Sequence, residues 1–197
     1  MQNNIMDIAY TLSGDIKRVT EVAWSSDGSK LASGARDGTV CIWDGANGVL
    51  QHKLIGHKKS VSAIAWSPDN VQLASGSLDT TIRIWDNITG TCKYILTNHR
   101  KAITTLAWSS DGARLASGSD DRVIYLWDGT TGRQWFVIAL RERITKLAWS
   151  RDDKLLSFSP SKTITIWRII PRPDSSPGQQ IFESSSTLQT RREGEEG

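Results

Sequence analysis

Tryptophan recurs along this chain on a nearly fixed period. Trp24, Trp66, Trp108 and Trp149 stand 42, 42 and 41 residues apart, and Trp43, Trp85, Trp127 and Trp167 stand 42, 42 and 40 apart. Eight of the nine tryptophans therefore fall at two repeat positions, and Trp135 alone lies off them. A period of this length makes the chain an array of one supersecondary unit, which decides the class of architecture before any single residue is read. The copies run from Gly14 to Asp44, Gly56 to Asp86, Asn98 to Asp128 and, in a worn form, Arg141 to Arg168.

Each copy alternates short runs of β-branched and aromatic residues with Ser-Asp-Gly, Pro-Asp-Asn or Thr-Gly turns, which is strand and hairpin chemistry. In the second copy the strands read as Val61 to Trp66, Val71 to Ser75, Thr81 to Trp85 and Cys92 to Leu96. No segment carries the 3.6-residue period of a long amphipathic helix. Ile82 and Ile84 share one parity and Trp85 takes the other, so the third strand is apolar on both faces and must lie between neighbouring sheets. One such sheet cannot bury itself, so the units stack.

The repeat resembles the WD40 unit, marked by Gly-His near its start and Trp-Asp at its end over roughly 40 to 45 residues. Gly56-His57 with Trp85-Asp86 matches both marks, and Trp43-Asp44 and Trp127-Asp128 match the second. The resemblance covers residues 7–170, with repeats at about 14–48, 56–90, 98–132 and 141–169. It implies an all-β chain of four four-stranded antiparallel β-propeller blades. Sixteen strands are expected: an N-terminal run from Asp7 to Leu12, three full sets of four, and a final three from Ile144 to Ile169. In this family the N-terminal strand usually completes the last blade. Propellers hold about four to eight blades, and a four-blade ring turns about 90° per blade against about 51° for seven. Three arrangements are open: an open arc, as in a piece of a longer chain; two chains paired into one eight-blade ring; or a small closed ring. Residues 171–197 are rich in Pro, Ser, Gly and charge and hold few large apolar residues, so they are expected to be a disordered tail.

The resemblance also assigns roles to residues. His57, Ser75 and Asp79 are the residue types of a hydrolase triad, and His99, Ser117 and Asp121 repeat them. The family places these residues, with the repeat Trp, in a hydrogen-bond network inside each blade: His57, Ser75, Asp79 and Trp85, then His99, Ser117, Asp121 and Trp127. A nucleophile duplicated in every repeat without an oxyanion hole fits no catalyst, so no enzyme activity is expected. The first copy keeps Ser33, Asp37 and Trp43 but has Asp15 where His is expected. The fourth has Leu140 or Arg141 at the His place and Ser161 at the Asp place, so its network is lost and its blade is the least stable.

The formal net charge is only +3, so charge matters through its placement. The loop entering each blade is basic: Lys17 and Arg18, Lys58 and Lys59, Arg100 and Lys101, Arg141 and Arg143. In a propeller these loops share one rim with the residues before the turn aspartates, Arg36, Leu78, Asp120 and, by position, Pro160, which differ from blade to blade. The expected function is a non-catalytic interaction scaffold that holds protein or peptide partners, acidic or phosphorylated ones above all, on this rim. Nucleic-acid binding on the same rim is the alternative; the loops lack aromatics for base stacking. A further alternative is the detached sensor portion of a larger signalling NTPase. No Gly-rich phosphate loop, cofactor fingerprint or metal-ligand cluster occurs, so no cofactor and no metal is expected. The two cysteines, Cys41 and Cys92, have no metal or redox spacing, and no signal peptide or membrane-length apolar run is visible, so an intracellular place, cytoplasmic or nuclear, is expected.

Overall fold

Every unit folds as a four-stranded antiparallel meander. The computed structural model describes residues 11–12, 18–161, 163–171 and 180–189, with the backbone alone for 169–171 and 180–189. Blade 1 holds β1 (Val19–Trp24), β2 (Lys30–Ala35), β3 (Val40–Asp44) and β4 (Leu50–Leu54). Blade 2 holds β5 (Val61–Trp66), β6 (Gln72–Ser77), β7 (Ile82–Asp86) and β8 (Cys92–Leu96), and blade 3 holds β9 (Ile103–Trp108), β10 (Arg114–Ser119), β11 (Val123–Asp128) and β12 (Gln134–Ala139). Blade 4 holds β13 (Lys146–Trp149), β14 (Leu155–Phe158), β15 (Thr163–Pro171) and β16 (Gln180–Gln189). Strands lie in sequence order within every sheet.

The hairpin joining the first two strands of a blade is a repeated device. Ser25, Ser67, Ser109 and Ser150 donate their hydroxyls to Asp27, Asp69, Asp111 and Asp152 at 2.5–2.6 Å. The residue that follows each aspartate turns left-handed: Gly28, Asn70, Gly112 and Asp153, with φ of 69°, 60°, 71° and 57°. Gly and Asn take that conformation at low cost.

The core lies between blades rather than within them. Val40, Ile42 and Leu54 of blade 1 pack on Val61, Ile64, Trp66, Leu73 and Trp85 of blade 2. Ile82, Ile84 and Leu96 meet Ile103, Leu106, Trp108 and Leu115, and Ile124, Leu126 and Ile138 meet Ile144, Leu147 and Leu155. Polar bonds stitch the same faces together. The indoles of Trp66 and Trp108 donate to the Ala23 and Ala65 carbonyls at 3.0 and 3.2 Å. The hydroxyls of Thr20, Ser62 and Thr104 donate to the carbonyls of Val61, Ile103 and Ile144 at 2.7, 2.5 and 2.6 Å. The first strands touch in series, β1 on β5, β5 on β9 and β9 on β13. The blades form an open arc, and at its leading end Val19, Val22 and Trp24 are more than half exposed.

The structure departs from the sequence reading in three places. Within the stretch read as a disordered tail, Gln180–Gln189 forms β16 and pairs with β15 from Pro171↔Gln180 to Thr163↔Gln189. The reading weighed only apolar burial, whereas an edge strand offers a row of backbone donors and acceptors that any extended segment satisfies. Residues 172–179 and 190–197 lie outside the described residues. β16 also takes the outer place in blade 4 that the N-terminal run was expected to fill; residues 7–10 of that run lie outside the described residues. Trp135 stands at the repeat position of Ala9, Gln51 and Lys93, an outer-strand place that the sequence reads as solvent-facing; it is instead half-buried beside the cluster between blades 3 and 4, with the Arg114 guanidinium 4.5 Å from its ring centre. Cation–π contact and the arginine stem cover its face.

Candidate partner-binding rim

Two blades carry a complete hydrogen-bond chain. In blade 2 the Trp85 indole donates to Ser75 Oγ at 2.8 Å, Ser75 Oγ lies 2.8 Å from His57 Nε2, and His57 Nδ1 lies 3.0 Å from Asp79 Oδ2. Blade 3 repeats this with Trp127, Ser117, His99 and Asp121 at 2.8, 2.8 and 2.9 Å. The partners define the roles: the indole donates to the serine oxygen, the serine hydroxyl donates a hydrogen bond to Nε2, and Nδ1–H points to the carboxylate. Burial depresses the proton affinity of both imidazoles, and their aspartates offset only part of it, so both are held neutral. Burial raises the Asp79 carboxyl, but bonds from the Thr81 hydroxyl and the Thr81 and Lys58 amides outweigh it and hold it at about 2. Ser75 and Ser117 are 0% exposed, so each hydroxyl lies inside its blade, bonded to the indole and the imidazole.

The worn copies are wired as far as their residues permit. The Trp43 indole donates to Ser33 at 2.9 Å and the Trp167 indole to Ser157 at 2.9 Å, with no histidine beyond either serine. Asp15, at the His place of blade 1, lies outside the described residues. In blade 4 Ser161 bonds Thr163 Oγ1 at 3.0 Å, and its amide donates to Glu142 at 3.3 Å.

The same wiring fixes the rim. The Lys58 amide donates to Asp79 at 2.8 Å and the Arg100 amide to Asp121 at 2.9 Å, so each basic entry loop is tied to the turn after the second strand. Backbone bonds repeat the tie: Arg36 N–H to Arg18 O at 3.0 Å, Leu78 to Ser60 at 2.9 Å and Asp120 to Ala102 at 3.1 Å. Arg18, Arg36, Lys58, Lys59, Leu78, Arg100, Lys101, Arg141 and Arg143 are all exposed, and Asp120 is half-buried. Lys17 lies outside the described residues.

The rim is not uniform. Between blades 3 and 4 it opens into a hollow of about 730 Å³ lined by Lys101, Asp120, Arg122, Arg141, Glu142, Arg143, Pro160 and Ser161. Arg143 reaches Asp120 at 3.8 Å. Arg122 was missed in the sequence because it follows the turn aspartate rather than preceding the entry strand. Its signal was its alignment with Gly38 and Thr80, where a long cation stands at a left-handed position, φ 70°. Among the described residues no cluster of three or more His, Cys, Asp or Glu is placed to hold a metal. No helix among them is long and apolar enough to cross a membrane.

Four meander blades that stack through paired tryptophan faces, two of them with the Trp-Ser-His-Asp chain, define a WD40-type β-propeller. A family model described as the IFT122 first beta-propeller matches residues 4–186, and the chain belongs to that β-propeller family. Among curated proteins it is similar to the retinoblastoma-binding protein 5 homolog of Drosophila melanogaster, 41% identical over 46 residues, covering 23% of this chain and 9% of that protein. It is also similar to protein Mut11 of Chlamydomonas reinhardtii, 54% identical over 39 residues, covering 20% of this chain and 10% of that protein. Among solved structures it resembles U3-55K, with a TM-score of 0.75 and 22% identity over 90% of this chain and 56% of that one. A chain in the crystal structure of the mitotic checkpoint complex aligns with a TM-score of 0.74 and 28% identity, over 86% of this chain and 53% of that one. The chain thus spans about a tenth of the curated relatives it matches and just over half of the solved chains.

Proposed function

We propose that this chain is a non-catalytic protein-interaction scaffold and that the hollow between blades 3 and 4 takes an acidic or phosphorylated peptide. WD40 propellers generally serve as such scaffolds, and a relative solved inside the mitotic checkpoint complex supports a role among protein partners. The observation that carries the reading is charge. Lys101, Arg122, Arg141 and Arg143 converge on one concave site against only Asp120 and Glu142. Arginine forks match carboxylate and phosphate oxygens, and a concave basic site concentrates the field. The flanking Lys58, Lys59 and Arg100 extend the attraction along the rim, while Leu78 and Arg36 vary the contact from blade to blade. The free thiols of Cys41 and Cys92 suit a reducing compartment, so the partner is sought inside the cell.

Fluorescence anisotropy with labelled acidic and phosphoserine peptides tests this. Binding should weaken at least about ten-fold in Arg141→Glu/Arg143→Glu, equivalent to about 1.4 kcal/mol. Equal binding by that variant would remove the hollow from consideration. An oligonucleotide that outcompetes the peptides, with affinity falling linearly in log–log against salt, would mark the rim as a nucleic-acid surface instead.

A further inference from the structure

Blade 4 differs from blades 2 and 3 by a ring. In those two blades the imidazole of His57 or His99 fills a slot between a serine and an aspartate, with Nε2 2.8 Å from Ser75 or Ser117 Oγ. The strand pairings fix the comparison with blade 4: Leu54, Leu96 and Ile138 stand opposite Val40, Ile82 and Ile124. Six residues separate Leu54 from Val61 and six separate Leu96 from Ile103, and these loops carry the two histidines. Only five separate Ile138 from Ile144, and none is histidine. A second ring is lost beside it. Tyr125 stands edge-on to His99 with ring centres 4.7 Å apart, and it pairs with Ser117 as Thr165 pairs with Ser157.

The two losses leave a hollow of about 300 Å³ in blade 4, into which Ser157, Ser159, Ser161, Thr163 and Thr165 bring hydroxyls. Ser157 lies deepest in chemical terms: it is 5% exposed and accepts the Trp167 indole at 2.9 Å. Ser75 and Ser117 accept their indoles in the same way and donate to an imidazole. Among the described residues no acceptor takes the Ser157 proton. A buried hydroxyl with an unspent donor favours a ligand that brings an acceptor. At the aspartate end stands Ser161, its hydroxyl 2.9 and 3.0 Å from those of Ser159 and Thr163 and its amide donating to Glu142 at 3.3 Å. Arg141, Glu142 and Ser161 border both this hollow and the basic hollow of the rim, so the slot opens where the rim's cations stand.

Given the rim as the seat of an acidic peptide, a reading on which this one rests, we propose that the blade-4 slot is a subsite for the neutral imidazole of a partner's histidine. Acidic residues flanking that histidine are held by Arg141 and Arg143 at the mouth. The ring supplies what the short loop omits: an acceptor nitrogen for Ser157 and an N–H for the oxygens of Ser161 and Glu142. The same scaffold holds an imidazole at this place in two other blades, so the shape suits the ring. A neutral ring also suits the charges that face it. Arg141 and Glu142 stand at the slot and Lys101, Asp120, Arg122 and Arg143 in the adjoining hollow, four cations against two carboxylates. A phenyl ring would fill the space but leave Ser157 without an acceptor.

Labelled peptides of one length, with histidine, alanine or phenylalanine between glutamates, test this by fluorescence anisotropy on the full chain. The measurement is made at about pH 8, where an ordinary imidazole is neutral. The histidine peptide should bind about ten-fold tighter than the alanine peptide, the effect of a buried ring with a satisfied hydrogen bond, and tighter than the phenylalanine peptide. Thr165→Tyr, which puts a phenol into the slot, should abolish the preference and leave the alanine peptide's affinity unchanged. Equal binding of the histidine peptide and either of the others overturns the subsite while the basic rim stands. A second readout needs no peptide. Free imidazole titrated into the wild type should shift the indole N–H NMR signal of Trp167, because Ser157 joins the two. The signals of Trp85 and Trp127 should stay in place, because His57 and His99 already fill their slots. No shift at Trp167, or equal shifts at all three, overturns the subsite. If every peptide fails to bind while Trp167 alone responds, the imidazole slot stands and the rim reading falls.

Discussion

Blades 3 and 4 are neighbours with the same ladder and different contents. Both pair four antiparallel strands in sequence order, and both anchor the repeat tryptophan on a serine, Trp127 on Ser117 and Trp167 on Ser157. Blade 3 continues from that serine through His99 to Asp121 and presents Ala116 and Gly118 to the blade behind it. Blade 4 stops at the serine and presents Leu156 and Phe158. The ladder requires only extended backbone and β-capable side chains, so it survives wear. The wiring and the interface require particular residues at particular places, so they fail singly. Even the seam between the two is incomplete: the Trp149 indole is buried without an acceptor, whereas Trp66 and Trp108 each reach a carbonyl of the preceding blade. A buried donor without a partner costs about 1 to 3 kcal/mol.

The sharpest way to break the contrast is to move blade 4's side chain into blade 3. Gly118→Phe puts a benzyl group against Ile144 and Thr105, where a Cβ already meets methyl groups at 2.7 and 2.9 Å. Urea unfolding should show a loss of about 3 kcal/mol, the upper part of the usual overpacking range. A loss below about 1 kcal/mol would mean the seam yields, and blade 4 could then accept a neighbour as well.

Next in size is the serine at the branch point. Ser75→Ala orphans the Trp85 indole and a nitrogen of His57 together, both buried, and should cost about 1 to 3 kcal/mol. Ser157→Ala orphans only the half-buried Trp167 indole and should fall at or below the low end of that range. Equal costs in the same denaturant series would show that the histidine adds nothing to the network.

That histidine also makes blades 2 and 3 sensitive to pH in a way blade 4 is not. The folded-state pKa of His57 and His99 lies below the ordinary 6.5. Their contribution is full above pH 6.5, where both states are neutral. It is lost as pH falls below 6.5, because the unfolded chain takes up protons that the folded one refuses. Asp79, lowered from 3.8 to about 2, extends the loss: its contribution is present above pH 3.8 and vanishes as pH falls toward 2. Melting temperature followed by tryptophan fluorescence should decline steadily below pH 6.5, and His57→Gln/His99→Gln should flatten the first part of that decline. An unchanged slope in the variant would assign it to other groups.

How much of this was legible beforehand follows from the same distinction. The tryptophan period and the turn residues located the blades, and Val61 to Trp66 and Cys92 to Leu96 were bounded as they stand in β5 and β8. The His-Ser-Asp-Trp chain was readable because a family pattern names its members. β16 was not, because backbone pairing leaves little trace in side-chain composition. Arg122 was not, because concavity at the rim depends on how two blades meet. The change from Ala-Ser-Gly to Leu-Ser-Phe was in plain view in the fourth copy. Its meaning emerged only when the space over each glycine was seen to belong to the next blade.

The smallest predicted effect separates holding the fold from holding a partner. Arg143 and Asp120 form an ion pair at 3.8 Å with side chains 60% and 37% exposed, and a pair so open to solvent contributes about 0 to 1 kcal/mol. Arg143→Ala should therefore move the urea midpoint little, within about 0.5 kcal/mol. The hollow loses one of its four cations while Asp120 is freed to repel an acidic ligand. Peptide affinity at the rim should then fall by more than the stability does, and the difference should shrink as salt rises through the screening range. If stability and affinity fell together, Arg143 would be part of the blade 3–4 seam, and the contrast between a wired blade and a worn one would reach the rim as well as the core.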